Sequence, residues 1–451
     1  MSLALRHKKG AFKVSGNLLP VAGGLWRSRP GATQLARGPV DAAIEWDHRL
    51  LFQRNGRLFV WDAYEHDVGG AGRTLDGAAF QALTESAERE DRLYIGDGVN
   101  PLFYIRRGPS GYERKTFANE VRDGRGNPYP VPIASAVEVA RNRLWVAHGT
   151  NRAQHSDFEK PHAFDPLFTQ EFQGGERGAV LALYAHLDYL AAGTQSGLWA
   201  VVGDSQFNFR RDPLVAHGVT GPAALHSDGQ RLFFVSRAGA HALADAGTIG
   251  DDALDAAFES PDPAAQVLLS PDGRHLLLVV RSRLFVIHLD SKRIGEIAEN
   301  VTGAFRFGPQ IGWYGADGVW ICNRLDSYDG ALSGARTRVA TAVETWPDTP
   351  PRTALLERSF AELRGEADAP ITYTATVRTE DSAVQTVQRT MRGAVGNAPF
   401  ETFWDGVVVN WEAEPLHHEL PVMLAGKSFK HRLECAGHFE LMSFTPKYRG
   451  N

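Results

Sequence analysis

Several short polar runs in the chain have side chains that could support catalysis or ligand binding. The densest run comprises His155, Asp157, Glu159, His162 and Asp165. Imidazole and carboxylate groups are common metal ligands. However, the run has no histidine pair at helical i, i+4 spacing, and Pro161 interrupts it. The pattern predicts a loop that carries surface charges.

Three other polar motifs lack the spacing that their chemistry requires. The segment from Asp326 to Gly330 has carboxylates and a glycine but no calcium-loop register or terminal glutamate, so it predicts a turn. His417-His418-Glu419 lacks the His-Glu-x-x-His spacing of zinc proteases. His241 stands alone, and a lone histidine is more often a core or surface residue than a catalytic base.

Ala425-Gly426-Lys427-Ser428 resembles the end of a phosphate-binding loop. That loop needs a glycine five residues before Gly426, where this chain has Pro421. Strand-like residues surround the segment, so it predicts a hairpin turn.

No nucleophile signature is present. The chain has no Gly-x-Ser-x-Gly elbow, and neither Cys322 nor Cys435 lies in a reactive-site motif. Carboxylates are too numerous to identify an acid and base pair from sequence. We therefore predict a non-enzymatic protein with no catalytic residues, no cofactor and no metal site.

Two clusters of basic and aromatic residues, one near each end of the chain, are candidate assembly surfaces, because arginine and aromatic side chains are enriched at protein interfaces. A solvated rim would have the same composition. The candidate interface residues are Trp26, Arg27, Arg29, Pro30, Lys427, Lys430, Arg432, Lys447, Tyr448 and Arg449.

The composition of the 451 residues excludes some classes of protein. The formal net charge is −5, which gives no support for a protein whose affinity comes from phosphate contacts. Residues 1–20 lack the continuous apolar segment of a secretory signal, and no run is long and apolar enough to span a membrane. Two cysteines cannot form a disulfide framework, which fits either a reducing compartment or a fold that needs no disulfides.

A short phrase recurs along the chain: a polar turn, an apolar strand, a small-residue turn and a second apolar strand. Its instances begin at His48, Asp91, Asn142, Asp188, Gln230, Pro271 and, more weakly, Ile311. Their spacing of about 35–50 residues is close to the period of four-stranded propeller blades. The phrase predicts an all-β chain with a β-propeller of six or seven blades. A large β-sandwich with incidental hairpins is the alternative.

Three segments follow from this pattern. Residues 1–38 would form an N-terminal arm with a platform strand, residues 39–332 the propeller, and residues 333–451 a C-terminal antiparallel β domain that completes the platform. A helix is expected from Asp251 to Phe258. The segment from Arg352 to Leu363 fits either a short helix or an edge strand. Further strands are expected at 371–377, 407–409, 429–433 and 439–444.

The chain also resembles the tail nozzle (hub) proteins of short-tailed bacteriophages. The phrase from Gly23 to Ala32, which contains Arg27-Ser28-Arg29-Pro30-Gly31, is similar to the family's N-terminal signature. Ser156-Asp157 followed by Phe164-Asp165-Pro166-Leu167 is similar to a loop in the middle of the family's sequences. The order of the segments from Gly178 to Asp204 and the final strand pair from Arg432 to Met442 also resemble the family.

This resemblance implies a structural virion protein. Such a chain would form a homo-oligomeric ring, usually a hexamer, below the head–tail adaptor, and would contact other tail components such as fibres, a needle or a plug. It would extend the DNA channel, help retain and eject packaged DNA, and assemble in the host cytoplasm without a membrane. A lumen that weakly repels phosphate lets DNA slide, so a net negative charge is compatible with this role.

Two other classes of function remain open. A propeller enzyme acting on glycans would need convergent carboxylates or a metal at the propeller mouth. A monomeric propeller scaffold would lack the large subunit interfaces, above roughly 2,000 Å², expected of a ring.

Overall fold

The structure is a computed structural model, and it is built almost entirely of β-strands. It describes residues 13–14, 18–20, 26–28, 31–46, 48–70, 72, 75–83, 89–109, 111–172, 178–244, 248–249, 254, 258, 262–324, 328–331, 334–337, 340–346, 354–365, 371–378, 384–391, 416–426, 428–435 and 439–450. No helix in these ranges has the length and apolar character needed to cross a membrane.

The strands fall into three groups along the chain. The N-terminal strands are β1 Lys13–Val14, β2 Leu18–Pro20, β3 Trp26–Ser28 and β4 Gly31–Arg37. The strands of the first four sheets of the propeller are β5 Ala42–Trp46, β6 Arg49–Arg54, β7 Arg57–Trp61, β8 Glu65–Gly70, β9 Asp76–Leu83, β10 Arg89–Gly96, β11 Phe103–Gly108, β12 Gly111–Lys115, β13 Ala136–Ala140, β14 Arg143–Ala147, β15 Arg152–His155, β16 Thr169–Glu171, β17 Val180–His186, β18 Tyr189–Thr194, β19 Leu198–Val202 and β20 Arg210–Val215.

The remaining strands complete the propeller and form the C-terminal part. Those that complete the propeller are β21 Leu225–Ser227, β22 Leu232–Ser236, β23 Gly239–Ala242, β24 Thr248–Ile249, β25 Gln266–Leu269, β26 His275–Val280, β27 Arg283–His288, β28 Ile294–Glu299, β29 Val301–Phe307, β30 Gln310–Gly315 and β31 Gly318–Arg324. The C-terminal strands are β32 Tyr328–Ala331, β33 Gly334–Thr337, β34 Ala340–Trp346, β35 Ala354–Gly365, β36 Ile371–Arg378, β37 Val384–Met391, β38 Leu416–Gly426, β39 Ser428–Cys435 and β40 Phe439–Gly450.

Seven antiparallel sheets form a β-propeller, as the repeated phrase predicts. Six blades are meanders of four consecutive strands, from β5–β8 to β25–β28. The first strands of successive blades contact one another in cyclic order, and β29 of the last blade contacts β5 of the first. Each sequence phrase lies on the second and third strands of one blade. Turns such as Asn55-Gly56 close these hairpins with φ values of 52° and 69°.

The seventh blade is closed by the N-terminal part of the chain. Its sheet has the order β29-β30-β31-β4-β32-β33, in which β29, β30, β31 and β4 form the blade. β4 runs antiparallel to β31, with Ile321 opposite Thr33 and Val319 opposite Ala36. The prediction that residues 1–38 form an arm with a platform strand is therefore wrong for β4, which belongs to the propeller. Closing the ring with a distant strand ties the last blade to the start of the chain.

The propeller core lies between the blades. Strands such as β26, with the sequence HLLLVV, are buried along their whole length because both of their faces pack against a neighbouring blade. Between the sixth and seventh blades, for example, Leu277 and Val279 pack in one cluster with Ile311 and Trp313.

The other two sheets form a β-sandwich, which we call the platform. The first sheet has the order β1-β34-β39-β36-β37, and the second has the order β2-β3-β40-β35-β38. The platform therefore combines the C-terminal part with the N-terminal arm, as predicted. The two sheets meet at Tyr373, whose hydroxyl lies 2.8 Å from Ser359 Oγ of the opposite sheet and 2.8 Å from His431 Nδ1. Strand β2 also lies against β27 and β28 of the propeller.

Several local predictions need correction. The described part of the segment from Arg352 to Leu363 is neither a helix nor an edge strand, because it belongs to β35, which lies between β40 and β38 inside its sheet. The strands on either side of Lys427, β38 and β39, do not form the hairpin predicted there, because they belong to different sheets. Tyr328 to Ala331 form a strand, and not the turn predicted there. The strands β32 and β33 span the predicted boundary at residue 332, because a bridge between Gly330 and Thr33 joins them to β4.

Two predicted elements lie mainly outside the described residues. The strand expected at residues 407–409 is outside them entirely, and only Leu254 and Phe258 are described within the expected helix from Asp251 to Phe258.

Candidate functional site

The platform brings strands from the two predicted assembly clusters together: β3 of the N-terminal cluster pairs with β40, which carries part of the C-terminal cluster. Trp26 and Arg27 on β3 pair with Leu441 and Glu440 on β40, the final strand of the chain. The two strands β3 and β40, from opposite ends of the sequence, are thus neighbours in the folded protein. Arg29, Pro30 and Lys427 lie outside the described residues.

The C-terminal candidates are divided between the two outer faces of the platform. On β39, Phe429 and His431 point into the sandwich while Lys430 and Arg432 are exposed, as the two-residue period of a strand requires. Lys447 is exposed on β40, in the opposite sheet. The backbones of Tyr448 and Arg449 continue β40 opposite Leu356 and Leu355. The ten candidates therefore do not form one continuous patch.

The outer face of the first platform sheet is polar and carries a basic centre. Lys430 and Arg432 lie opposite Thr376 and Thr374 of β36. Arg432 also forms an ion pair with Glu434 on its own strand. Two exposed cations beside threonines of the neighbouring strand suit an acidic or polar partner surface.

A second cluster of polar side chains surrounds the propeller axis. Ala79 and Thr302 are exposed although they lie on the innermost strands β9 and β29, so water reaches this axis. Asp76 of the second blade accepts hydrogen bonds from the backbone N–H groups of Gly77, at 2.9 Å, and of Val137 in the third blade, at 2.8 Å. Glu138 accepts from Val139 N–H at 2.8 Å and from the backbone of Ala185 in the fourth blade. These carboxylates thus tie adjacent blades together.

Burial changes the ionisation of the two carboxylates. Desolvation raises the pKa of Asp76 to about 6, and it raises the pKa of Glu138, which also senses the charge of Asp76, to about 7. Among the described residues neither carboxylate has a cationic partner within ion-pair distance.

Three further polar side chains from other blades complete this group, which we call the channel cluster: Asp76, Glu138, Tyr184, His226 and Arg306. Tyr184 and His226 pack edge to face with ring centroids 5.1 Å apart. Burial raises the pKa of Tyr184 to about 12, and the charges of Glu138 and Arg306 act on it in opposite directions. Burial lowers the pKa of His226 to about 3, and the charge of Arg306 lowers it further.

Most of the polar run from His155 to Asp165 is a loop with acidic side chains at its surface, as predicted, but its two histidines pack against aromatic rings. His155 is fully buried and stacks on Phe168 with centroids 5.1 Å apart. His162 stacks on Phe117 at 4.1 Å, and its Nε2 lies 2.9 Å from the Tyr94 hydroxyl. Only the acidic members keep to the surface. Within the described part of the chain, no three histidine, cysteine or carboxylate side chains converge as a metal site would require.

These buried histidines predict a loss of stability in acid. Burial lowers the pKa of His155 and of His162 to about 4, well below the value of about 6.5 in the unfolded chain. The stability contributed by the neutral imidazoles is present above pH 6.5 and is lost as the pH falls towards 4. Asp76 and Glu138 act in the opposite sense, because their raised pKa values favour the folded state at low pH and this contribution is lost as the pH rises to 7.

His155→Phe should reduce the pH dependence of the free energy of unfolding by about 1 kcal/mol per pH unit between pH 6 and 4.5, since one proton fewer is taken up on unfolding. Urea denaturation at a series of pH values measures this slope. His48→Asn is the control, because His48 is exposed in a turn with a φ of 59°, which asparagine tolerates. An unchanged slope in His155→Phe would contradict the assignment.

Sequence inspection missed the channel cluster. The repeated phrase marks the second and third strands of each blade, whereas the cluster comes from the innermost strands. The available signal was a charged residue inside an apolar strand, such as Glu138 in AVEVA of β13. It was weak because the members lie in different blades, and only ring closure brings them together.

Comparison with known proteins gives no family. No family model matches the chain, and no curated protein matches it. Among solved structures, the WD40 β-propeller domain of Doa1 is 9% identical, and the match covers 65% of this chain and 96% of that chain with a TM-score of 0.42. PorZ, an essential bacterial surface component of the type-IX secretion system of Porphyromonas gingivalis, is 13% identical over 64% of this chain, with a TM-score of 0.37.

The extracellular domain of the hybrid two-component system BT4673 from B. thetaiotaomicron is 12% identical over 73% of this chain, with a TM-score of 0.31. The match covers only 37% of the PorZ chain and 40% of the BT4673 chain. These likenesses concern the fold alone, and the strand order of the seven blades establishes that fold directly.

Proposed function

We propose that the chain is a structural virion protein, a subunit of the nozzle ring of a bacteriophage tail. The observation that carries the proposal is the platform, in which strands from both ends of the chain form a sandwich outside the propeller. A propeller needs no such addition to close, since β4 already completes its seventh blade. A separate sandwich with a basic outer face instead offers a surface for neighbouring subunits and for a head–tail adaptor.

The proposed role follows from this arrangement. Subunits arranged head to tail around an axis use two different surfaces each, and such contacts close into a ring when the rotation fits. The platform would supply one of these surfaces and the propeller rim the other. The ring would extend the DNA channel below the adaptor and would act without catalysis, in the virion.

Charge reversal on the platform tests this proposal. Lys430→Glu combined with Arg432→Glu should abolish rings while leaving the monomer folded, because both side chains are exposed and such surface changes alter stability by about 0.5 kcal/mol or less. Arg122→Glu combined with Arg125→Glu, in the loop between β12 and β13 where both side chains are exposed, is the matched control and should leave rings intact. Sedimentation and negative-stain images, with and without the adaptor, measure the outcome.

Rings in the platform variant, or a strictly monomeric wild-type protein with and without the adaptor, would contradict the proposal. Truncation of the last twenty residues would remove most of the predicted C-terminal cluster, but it would not test the proposal cleanly. It removes β40, which lies between β3 and β35, so the second platform sheet would be lost with it.

A second candidate function is a propeller enzyme acting on glycans. The observation that favours it is the pair Asp76 and Glu138, whose pKa values are raised by burial near the propeller axis. An assay for release of reducing sugar from a panel of polysaccharides distinguishes this activity from the structural role, which requires no turnover.

A further inference from the structure

The channel cluster has features that blade packing alone does not require. Its five members come from five different innermost strands, β9, β13, β17, β21 and β29. Elsewhere a neutral side chain links adjacent blades in the same way. Gln266 donates a hydrogen bond to the Ala304 carbonyl oxygen and accepts one from the Ala304 N–H group, each at 2.8 Å. Charged groups at the axis are therefore not needed to hold the ring together.

The cluster retains hydrogen-bonding capacity that the protein does not use. Each carboxylate oxygen can accept more than one hydrogen bond, and the partners of Asp76 and Glu138 are backbone amides. The Tyr184 hydroxyl accepts from the backbone of Ser227, so its own proton remains free to be donated.

His226 adds an independent observation. Its side chain lies against Tyr184 and is 8% exposed, and its Nε2 atom is buried with no hydrogen-bond partner. A buried polar atom without a partner is rare in folded proteins and is usually explained by a bound molecule or a functional role.

The charges of the cluster indicate what kind of molecule fits. A cation would be attracted by Asp76 and Glu138 but repelled by Arg306. An anion would be attracted by Arg306 but repelled by the two carboxylates. A neutral molecule with several hydroxyl groups can donate to the carboxylates and to the neutral imidazole, and can accept from Arg306 and Tyr184. The edge of the Tyr184 and His226 ring pair supplies apolar surface for carbon-bound hydrogens.

We propose that the axis of the propeller is a binding site for a neutral carbohydrate, held by Asp76, Glu138, Tyr184, His226 and Arg306. Small-molecule sites usually combine a few convergent polar groups with apolar surface, and the channel cluster combines the same two elements. The site is separate from the platform surface, so carbohydrate binding and ring assembly are independent properties.

Saturation-transfer NMR with a panel of neutral sugars (glucose, galactose, mannose and their trisaccharides) tests the site in the wild-type chain. We expect saturation transfer to at least one sugar. Glu138→Gln and Arg306→Met should each weaken binding of that sugar by about 10-fold or more, because each removes a charged hydrogen-bond partner.

Two controls are matched in chemistry but lie on outermost strands. Glu171→Gln on β16 and Arg210→Met on β20 change exposed side chains away from the axis and should leave sugar binding unchanged. Near-UV circular dichroism checks that all four variants keep the wild-type fold. If Glu138→Gln fails to fold, the sugar affinity of Arg306→Met decides the test, because Arg306 is exposed and its replacement should leave the fold intact.

Absence of saturation transfer to every sugar, or equal binding by the axial and control variants, would overturn the proposal. Binding of calcium or magnesium ions in the same titration, without binding of any sugar, would also overturn the proposal. Glu138→Gln should still form rings, so failure of the sugar experiment leaves the assembly proposal standing, and failure of rings leaves the sugar site standing.

Discussion

Gly318→Ala should destabilise the propeller by about 3 kcal/mol, because the added methyl group has no room and the backbone there disfavours it. Gly318 has a φ of 120°, and a Cβ atom would lie 1.9 Å from the carbonyl oxygen of Ala36. Ala36 belongs to β4, the strand that closes the ring, and Gly318 pairs with its neighbour Arg37. Relief of the clash requires β4 to move away from β31, which opens the seventh blade.

Urea denaturation followed by tryptophan fluorescence measures this effect, since Trp313 and Trp320 stack in the same blade with centroids 6.4 Å apart. Gly229→Ala is the control. Gly229 also has a positive φ, of 85°, but a Cβ atom there meets nothing within 4 Å, so the loss should be about 1 kcal/mol. Equal losses in the two variants would show that β4 does not hold the ring closed.

Arg283→Met should have the second large effect, a loss of about 3 kcal/mol in the free energy of unfolding. Arg283 Nε donates to Glu296 Oε1 at 2.8 Å, and a second guanidinium nitrogen donates to Oε2. The Glu296 side chain is 2% exposed whereas that of Arg283 is 46% exposed. Removal of the arginine leaves a buried carboxylate without its cation, which costs far more than loss of an exposed pair.

The exposed pair of Arg210 and Asp212 provides the comparison, because its side chains are 72% and 48% exposed. Arg210→Met should cost less than about 1 kcal/mol. The double variant Arg283→Met with Glu296→Leu should recover most of the stability lost in the single variant, because no buried charge remains. A double variant as unstable as Arg283→Met would mean that lost packing, and not the unpaired charge, explains the effect.

The sequence predicts most of the propeller because most of its signal is local. A hairpin such as the one from Arg49 to Trp61 is specified by adjacent apolar runs and by the Asn55-Gly56 turn between them. Such contacts join residues a few positions apart, so their pattern survives in the linear sequence. The same reasoning places β36, β39 and β40 in an antiparallel domain.

Long-range strand pairing cannot be predicted in this way, because the residues next to a strand in the sequence do not indicate which strand it pairs with. β4 pairs with β31, and the Gln34 side chain bonds the Asp317 carbonyl oxygen at 2.6 Å across a separation of 283 residues. β35 looks like an edge strand in isolation, but two strands from elsewhere in the chain enclose it.

The candidate sites also combine features that are local in the sequence with contacts that only the tertiary structure creates. The basic residues of the C-terminal cluster are visible in the sequence, but strand alternation and the division into two sheets place Lys430 and Lys447 on opposite faces. The channel cluster exists only after the ring closes, because its five side chains come from five different blades. The sequence by itself determined the repeated blades and the all-β class, through local hydrophobic pattern and turn chemistry. The tertiary structure alone decided the closing strand, the composition of the platform and the convergence at the axis, because these arise from contacts between residues far apart in the chain.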